Sequence, residues 1–167
     1  YSGFNHFGGE LGHAVTVKGG RQCTCGRKGC LEAYSSATAL IKMTQEAMEA
    51  NKDSKLWEVA KTLEEVNGKT AFDAMRLGDP VGAEVVNQYI QYLGCGLANF
   101  VNIFQPEILL IGGGISKEGE TLLAPLREIL KEETYGISGV KSTTLKTCAL
   151  GNDAGTIGAA FLWKIYA

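Results

Sequence analysis

The stretch Cys23-Thr24-Cys25-Gly26-Arg27-Lys28-Gly29-Cys30 decides how this sequence is read, together with Gly9-Glu10-Leu11-Gly12-His13 just upstream. Three thiols fall within eight positions. Gly26 and Gly29 give the backbone the freedom a tight loop needs. Thiolates so spaced can converge on one ion at about 2.3 Å each, and His13 supplies a nitrogen from across the segment 14–17. A Cys3His set closes a tetrahedron, which fits a structural zinc; with four protein ligands no position stays open for a reacting water. Buried thiols without a metal would explain neither the clustering nor the glycine spacers. The metal ligands expected are therefore His13, Cys23, Cys25 and Cys30.

Downstream, the pattern becomes helical. Ser35 or Ser36 is placed to cap a helix carrying Ala37, Leu40, Ile41, Met43, Ala47 and Met48 at helical spacing, ended by Asn51-Lys52-Asp53. Leu56, Trp57, Val59, Ala60 and Leu63 predict a short second helix, and Thr70 a cap for a third over 71–77, stopped at Gly78. Asp79-Pro80 is a strong helix start, an N-cap followed by proline in the first turn. That helix is expected to reach about Asn102, with Val81, Val85, Tyr89, Leu93 and Leu97 facing the core. Gly94 and Gly96 inside it mark close helix packing rather than a hinge.

After Gln105-Pro106 the run Ile108–Ile111 reads as a strand apolar on both faces and buried. Gly112-Gly113-Gly114 follows it. Taken as residues, these glycines fit a tight strand-to-helix turn and a nucleotide-approaching loop equally well. A helix over 118–133, kinked at Pro125, a strand over 143–150 and a last helix over 154–166, capped by Asp153 or Asn152, complete an α/β order. The segment 14–17 reads as a short strand closed by Gly19-Gly20.

Composition bounds the function. In 167 residues, 45% are hydrophobic and 20% charged, which is ordinary for a globular protein and argues against disorder. The net charge of −2, without a basic stripe, gives nucleic-acid binding by this chain little support. No apolar stretch reaches the roughly 18 residues of a membrane span. Five cysteines, an odd count without regular spacing, argue against a disulfide framework and for a cytoplasmic protein with a metal site. The first residue is Tyr1, so the chain is expected to begin inside a longer protein.

Gly9-Glu10-Leu11-Gly12-His13, then Cys23-x-Cys25-Gly26-x-x-Gly29-Cys30-Leu31-Glu32 and Ser35, resemble the signature of the ROK family (repressors, open reading frames and sugar kinases). The resemblance continues through Asn102-Ile103-Phe104-Gln105-Pro106-Glu107, Ile111-Gly112-Gly113-Gly114 and Leu150-Gly151-Asn152-Asp153-Ala154-Gly155. It implies the C-terminal lobe of an actin-like (ribonuclease H-like) ATPase fold, with a zinc-binding loop and inserted helices. The implied division is a sugar and zinc segment over 1–35, a helical region over 36–104 and a nucleotide-side β-α-β-α segment over 105–167. The implied activity is transfer of phosphate from ATP, with Mg²⁺, to glucose, another hexose or an N-acylhexosamine. The alternative within the family is a sugar-sensing repressor body.

By the same resemblance, Glu10, His13 and Glu32 contact the sugar, while His13, Cys23, Cys25 and Cys30 hold zinc. Gly112, Gly113 and Gly114 lie against the adenosine. Taken alone, each glutamate would be read as a solvated surface group. The zinc ties their two segments together, and so sets the spacing of two carboxylates able to accept sugar hydroxyls. The family's Asp-x-Gly-Gly-Thr-like phosphate loop and catalytic aspartate have no match in this chain, so no catalytic base is assigned and the chain alone is expected to be inactive. Asn152-Asp153 reads as a helix cap, not a substitute base. ROK proteins commonly self-associate through this half, which implies a homodimer.

Overall fold

The structure, a computed structural model, describes residues 3–136 and 141–166. The helices are α1 (Glu32–Ser35), α2 (Ala37–Ala50), α3 (Leu56–Val59), α4 (Thr70–Arg76), α5 (Pro80–Phe104), α6 (Glu120–Glu133), α7 (Ala154–Ala160) and α8 (Trp163–Tyr166). The strands are β1 (Ile108–Ile111) and β2 (Thr144–Thr147), giving a mixed α/β architecture. They pair in parallel, Ile108 opposite Thr144 and Ile111 opposite Thr147, with α6 as the crossover that parallel pairing requires. Among the described residues, no helix is long and apolar enough to cross a membrane.

The long helix α5 is the spine. The Asp79 side chain accepts a hydrogen bond from the Gly82 N–H at 3.1 Å, with Pro80 in the first turn. Val85, Tyr89 and Leu97 are buried as the spacing predicts, and the helix runs to Phe104 before Gln105 turns left-handed at φ 43°. The glycines within α5 are packing sites. A Cβ on Gly94 would lie 2.7 Å from Ile129 of α6, and one on Gly96 would collide with Leu31. Phe72, Tyr89, Leu40, Met48, Leu56, Leu122 and Leu126 are fully buried in one continuous core spanning α2 to α6. Each such side chain contributes about 1.5–3 kcal/mol of burial.

Several elements differ from expectation, for local reasons. The segment 14–17 forms no strand; Val15 makes one antiparallel bridge to Cys30, and the N–H groups of Thr16 and Val17 both donate to the Gly29 carbonyl, which bends the chain. Ser36, not Ser35, caps α2 by accepting from the Ala39 N–H at 3.0 Å. The second helix splits into α3 and a 3₁₀ turn, Leu63–Glu65, because Ala60 is extended. Thr70 is inside α4 rather than its cap; its hydroxyl accepts from the Asn67 N–H at 3.0 Å.

The helix predicted from 118 starts at Glu120, after a 3₁₀ turn over Gly114–Glu118 and a left-handed Gly119, and continues through Pro125. β1 is not buried on both faces: Ile111 is buried, but Ile108 is 49% and Leu110 55% exposed, since only one side of the two-stranded sheet meets the core. β2 covers Thr144–Thr147 alone, because a turn follows at Cys148, whose carbonyl accepts from the Gly151 N–H. The last helix is broken at Phe161 and Leu162, and Asp153 gives it no side-chain cap bond. The Asn152 side chain lies outside what the structure describes.

Candidate metal centre and the carboxylate beside it

The loop over 15–30 folds back on itself as a knuckle. Val15 bridges Cys30 and Gln22 bridges Lys28, while the Cys23 N–H donates to the Arg27 carbonyl at 2.8 Å and the Gly26 N–H to the Cys23 carbonyl at 3.1 Å. Gly29 has φ +84° and sits so close to the Val17 carbonyl that a side chain there would strike it. Only glycine serves at such a point.

α5 holds this knuckle from below. Leu31 packs on Gly96, and the Tyr89 hydroxyl donates to the Ser35 carbonyl at 2.9 Å. The Tyr34 and Tyr92 rings lie 4.5 Å apart, and the Tyr34 hydroxyl accepts from the Arg21 N–H.

The knuckle brings His13, Cys23, Cys25 and Cys30 together, with one ligand atom from each lying within 4.8 Å of every other. Cys23 Sγ is 3.6 Å from His13 Nδ1, and Cys25 Sγ is 3.7 Å from Cys30 Sγ. Tetrahedral zinc with ordinary bond lengths sets sulfurs about 3.8 Å apart and a nitrogen about 3.6 Å from a sulfur. A disulfide would need about 2.05 Å. The donor set and its spacing thus fit the ion. Cys30 is fully buried, and burial with the neighbouring thiols pushes it up to about 11. A nearby cation reverses that penalty by stabilising the thiolate. Cys25 is exposed, and the backbone N–H of Arg27 holds its thiol below the usual value.

The acidic groups divide. Glu32 opens α1 and is half-buried beside the thiols; its Oε1 accepts from the Thr24 hydroxyl at 3.1 Å and lies 3.9 Å from Cys23 Sγ. The Glu32 Cβ and Oε2 lie against Gly12, next to His13. Glu10 is exposed; its carbonyl accepts from the His13 N–H at 3.1 Å, opening the 3₁₀ turn Leu11–His13. No side-chain hydrogen bond from Glu10 is found among the described residues. A cavity of about 550 Å³ opens beside Glu32, bounded by Cys23, Thr24, Glu32, Ser36, Thr38 and Lys42; Glu10 and His13 are not part of its lining.

Gly112, Gly113 and Gly114 are exposed at the end of β1, and no hydrogen bond joins them to the knuckle among the described residues. They form a tight strand-to-helix turn: Gly113 has φ +76°, and its carbonyl accepts from the Ser116 hydroxyl at 2.7 Å. Sequence reasoning missed two residues of the knuckle, Thr24 on Glu32 and Arg27, whose guanidinium donates to the His13 carbonyl at 3.3 Å. Their position between the ligands was the only signal available.

A knuckle of candidate metal ligands with a carboxylate beside it, seated on an α/β body, agrees with the class that the family model defines: the chain belongs to the ROK family, whose model matches residues 1–165. Among individual proteins, it is 37% identical over 163 residues to a glucokinase of Thermotoga maritima, covering 98% of this chain and 51% of that protein. The crystal structure of a ROK family glucokinase from Streptomyces griseus, in complex with glucose and AMPPNP, matches with a TM-score of 0.81 at 32% identity, covering 92% of this chain and 50% of that one. A xylose repressor of Caldicellulosiruptor bescii is 30% identical over 137 residues, covering 81% of this chain and 34% of that protein. The chain spans about half the length of the glucokinases it matches.

Proposed function

We propose that this chain is the C-terminal, sugar- and zinc-binding part of an ATP-dependent sugar kinase acting on a hexose, glucose first, or on an N-acylhexosamine. The observation that carries the reading is the convergence of His13, Cys23, Cys25 and Cys30 beside Glu32, in a chain so similar to glucokinases. His13, Cys23, Cys25 and Cys30 hold one zinc, which supplies structural rigidity and no open coordination position.

With Nδ1 turned to the thiols, the His13 ring must carry its proton on Nε2, away from them. That N–H donates to a sugar oxygen, and the carboxylates of Glu10 and Glu32 accept sugar hydroxyls. Positioning of the acceptor hydroxyl is this segment's share of the reaction. Gly112, Gly113 and Gly114, exposed and free of side chains, let the adenosine of ATP approach the backbone. The phosphates, Mg²⁺ and the group that takes the hydroxyl proton are served by residues other than those of this chain. The whole protein works as a homodimer in the cytoplasm, where thiols stay reduced.

The test is an assay of the full-length protein with ATP against a panel of sugars. Phosphorylation of glucose, another hexose or an N-acylhexosamine is the expected result, with none from residues 1–167 alone. Activity on no sugar would overturn the kinase reading. It would favour a sugar-sensing repressor body, which the likeness to a xylose repressor supports.

A further inference from the structure

We propose that Thr24 is a positioning residue for sugar recognition, fixing one oxygen of Glu32 so that the other is presented to the substrate; this rests on Glu32 being a sugar ligand. Thr24 stands between two metal ligands, Cys23 and Cys25, and so moves as part of the knuckle. Its hydroxyl donates to Glu32 Oε1 at 3.1 Å. Glu32 Oε2 is turned the other way, toward Gly12 beside His13. The carboxylate therefore has two unlike ends. Oε1 belongs to the metal loop, and Oε2 faces the segment that carries Glu10 and His13.

A carboxylate on two flexible bonds otherwise spreads over several rotamers, and binding a sugar would have to select one of them. Holding one oxygen removes that cost and leaves two lone pairs of the other for hydroxyl donors. The metal loop thus acts on the sugar twice, once through His13 and once through Thr24 and Glu32. Any hydroxyl at position 24 reaches the carboxylate; a methyl in its place cannot donate.

The experiment compares Thr24→Val, Thr24→Ser, Glu32→Gln and the Thr24→Val/Glu32→Gln double variant in the full-length protein. It reads zinc content, glucose affinity by calorimetry, and KM for ATP. Thr24→Val is expected to weaken glucose binding about tenfold or more, as loss of one hydrogen bond to a charged acceptor does. Zinc content and the KM for ATP stay unchanged, Thr24→Ser restores affinity to within about twofold, and Thr24→Val has no added effect once Glu32 is Gln. Unchanged affinity in Thr24→Val, while Glu32→Gln weakens binding, would overturn the role of Thr24 and leave the sugar reading intact. Loss of zinc in Thr24→Val, or additive effects in the double variant, would also overturn it. Unchanged affinity in Glu32→Gln would overturn the sugar reading of Glu32 itself, and the role of Thr24 with it.

Discussion

Cys30 shows how a single side chain decides the behaviour of the knuckle. It is fully buried, and its thiol is pushed up to about 11. In chelated protein the folded state keeps the Cys30 proton longer than the unfolded chain does. Its contribution is therefore fully present below the ordinary thiol value of about 8.5 and lost as pH rises to about 11. Denaturation of chelated protein across that range should show the decline, and Cys30→Ser should flatten it. In untreated protein, Cys30→Ser should lower bound zinc from about one per chain to near zero, read by elemental analysis. The convergence of His13, Cys23, Cys25 and Cys30 was legible in the sequence because few residue types bind metal and their spacing is restrictive. Thr24 was not legible, because a donor to a carboxylate can be any hydroxyl or amide, and only folding shows which one reaches Glu32.

Among the elements, α5 joins the core to the knuckle. Leu31, between Cys30 and Glu32, rests on Gly96, so Gly96→Val should push Leu31 outward. The expected outcome is a loss of about 1–3 kcal/mol in chemical denaturation, together with a lower zinc content, because the clash falls beside a ligand. The start of α5 should govern acid stability. Burial alone would raise the Asp79 carboxyl, but the Ser54 hydroxyl at 2.6 Å and the N–H groups of Gly82, Lys55 and Val81 hold it below the usual value. Its contribution is thus present above about pH 3.9 and lost as pH falls through the lower folded value. Asp79→Ala should cost about 1–2 kcal/mol near neutrality and remove that part of the acid transition, read by denaturation at a series of pH values. α5 was legible because Asp79-Pro80 is an unambiguous start. β1 was legible as a strand but not in its exposure, because an apolar run does not say which of its faces the fold covers; here Ile108 and Leu110 stay open. The break at Phe161 and Leu162 left no sequence signal, since neither is a helix breaker.

Taken as a whole, the molecule joins its parts through one core and, among the described residues, a half-buried ion pair. Arg76 at the end of α4 pairs with Glu118, whose side chain is 3% exposed, and so ties the helical region to the turn that follows the three glycines. The α/β order was legible because helical and strand periodicities alternate clearly after residue 105. The pairing of Arg76 with Glu118 was not, because they are 42 residues apart and no local pattern links them. Sugar binding of the proposed kind requires that the knuckle be a metal site whose rigidity reaches the substrate. The direct measurement is zinc content and glucose affinity of the full-length protein, before and after chelation, with circular dichroism to confirm that the helices persist. The expected result is about one zinc per chain and, on its removal, glucose binding weaker by about tenfold or more. Folded, zinc-free protein that binds glucose with undiminished affinity would contradict it.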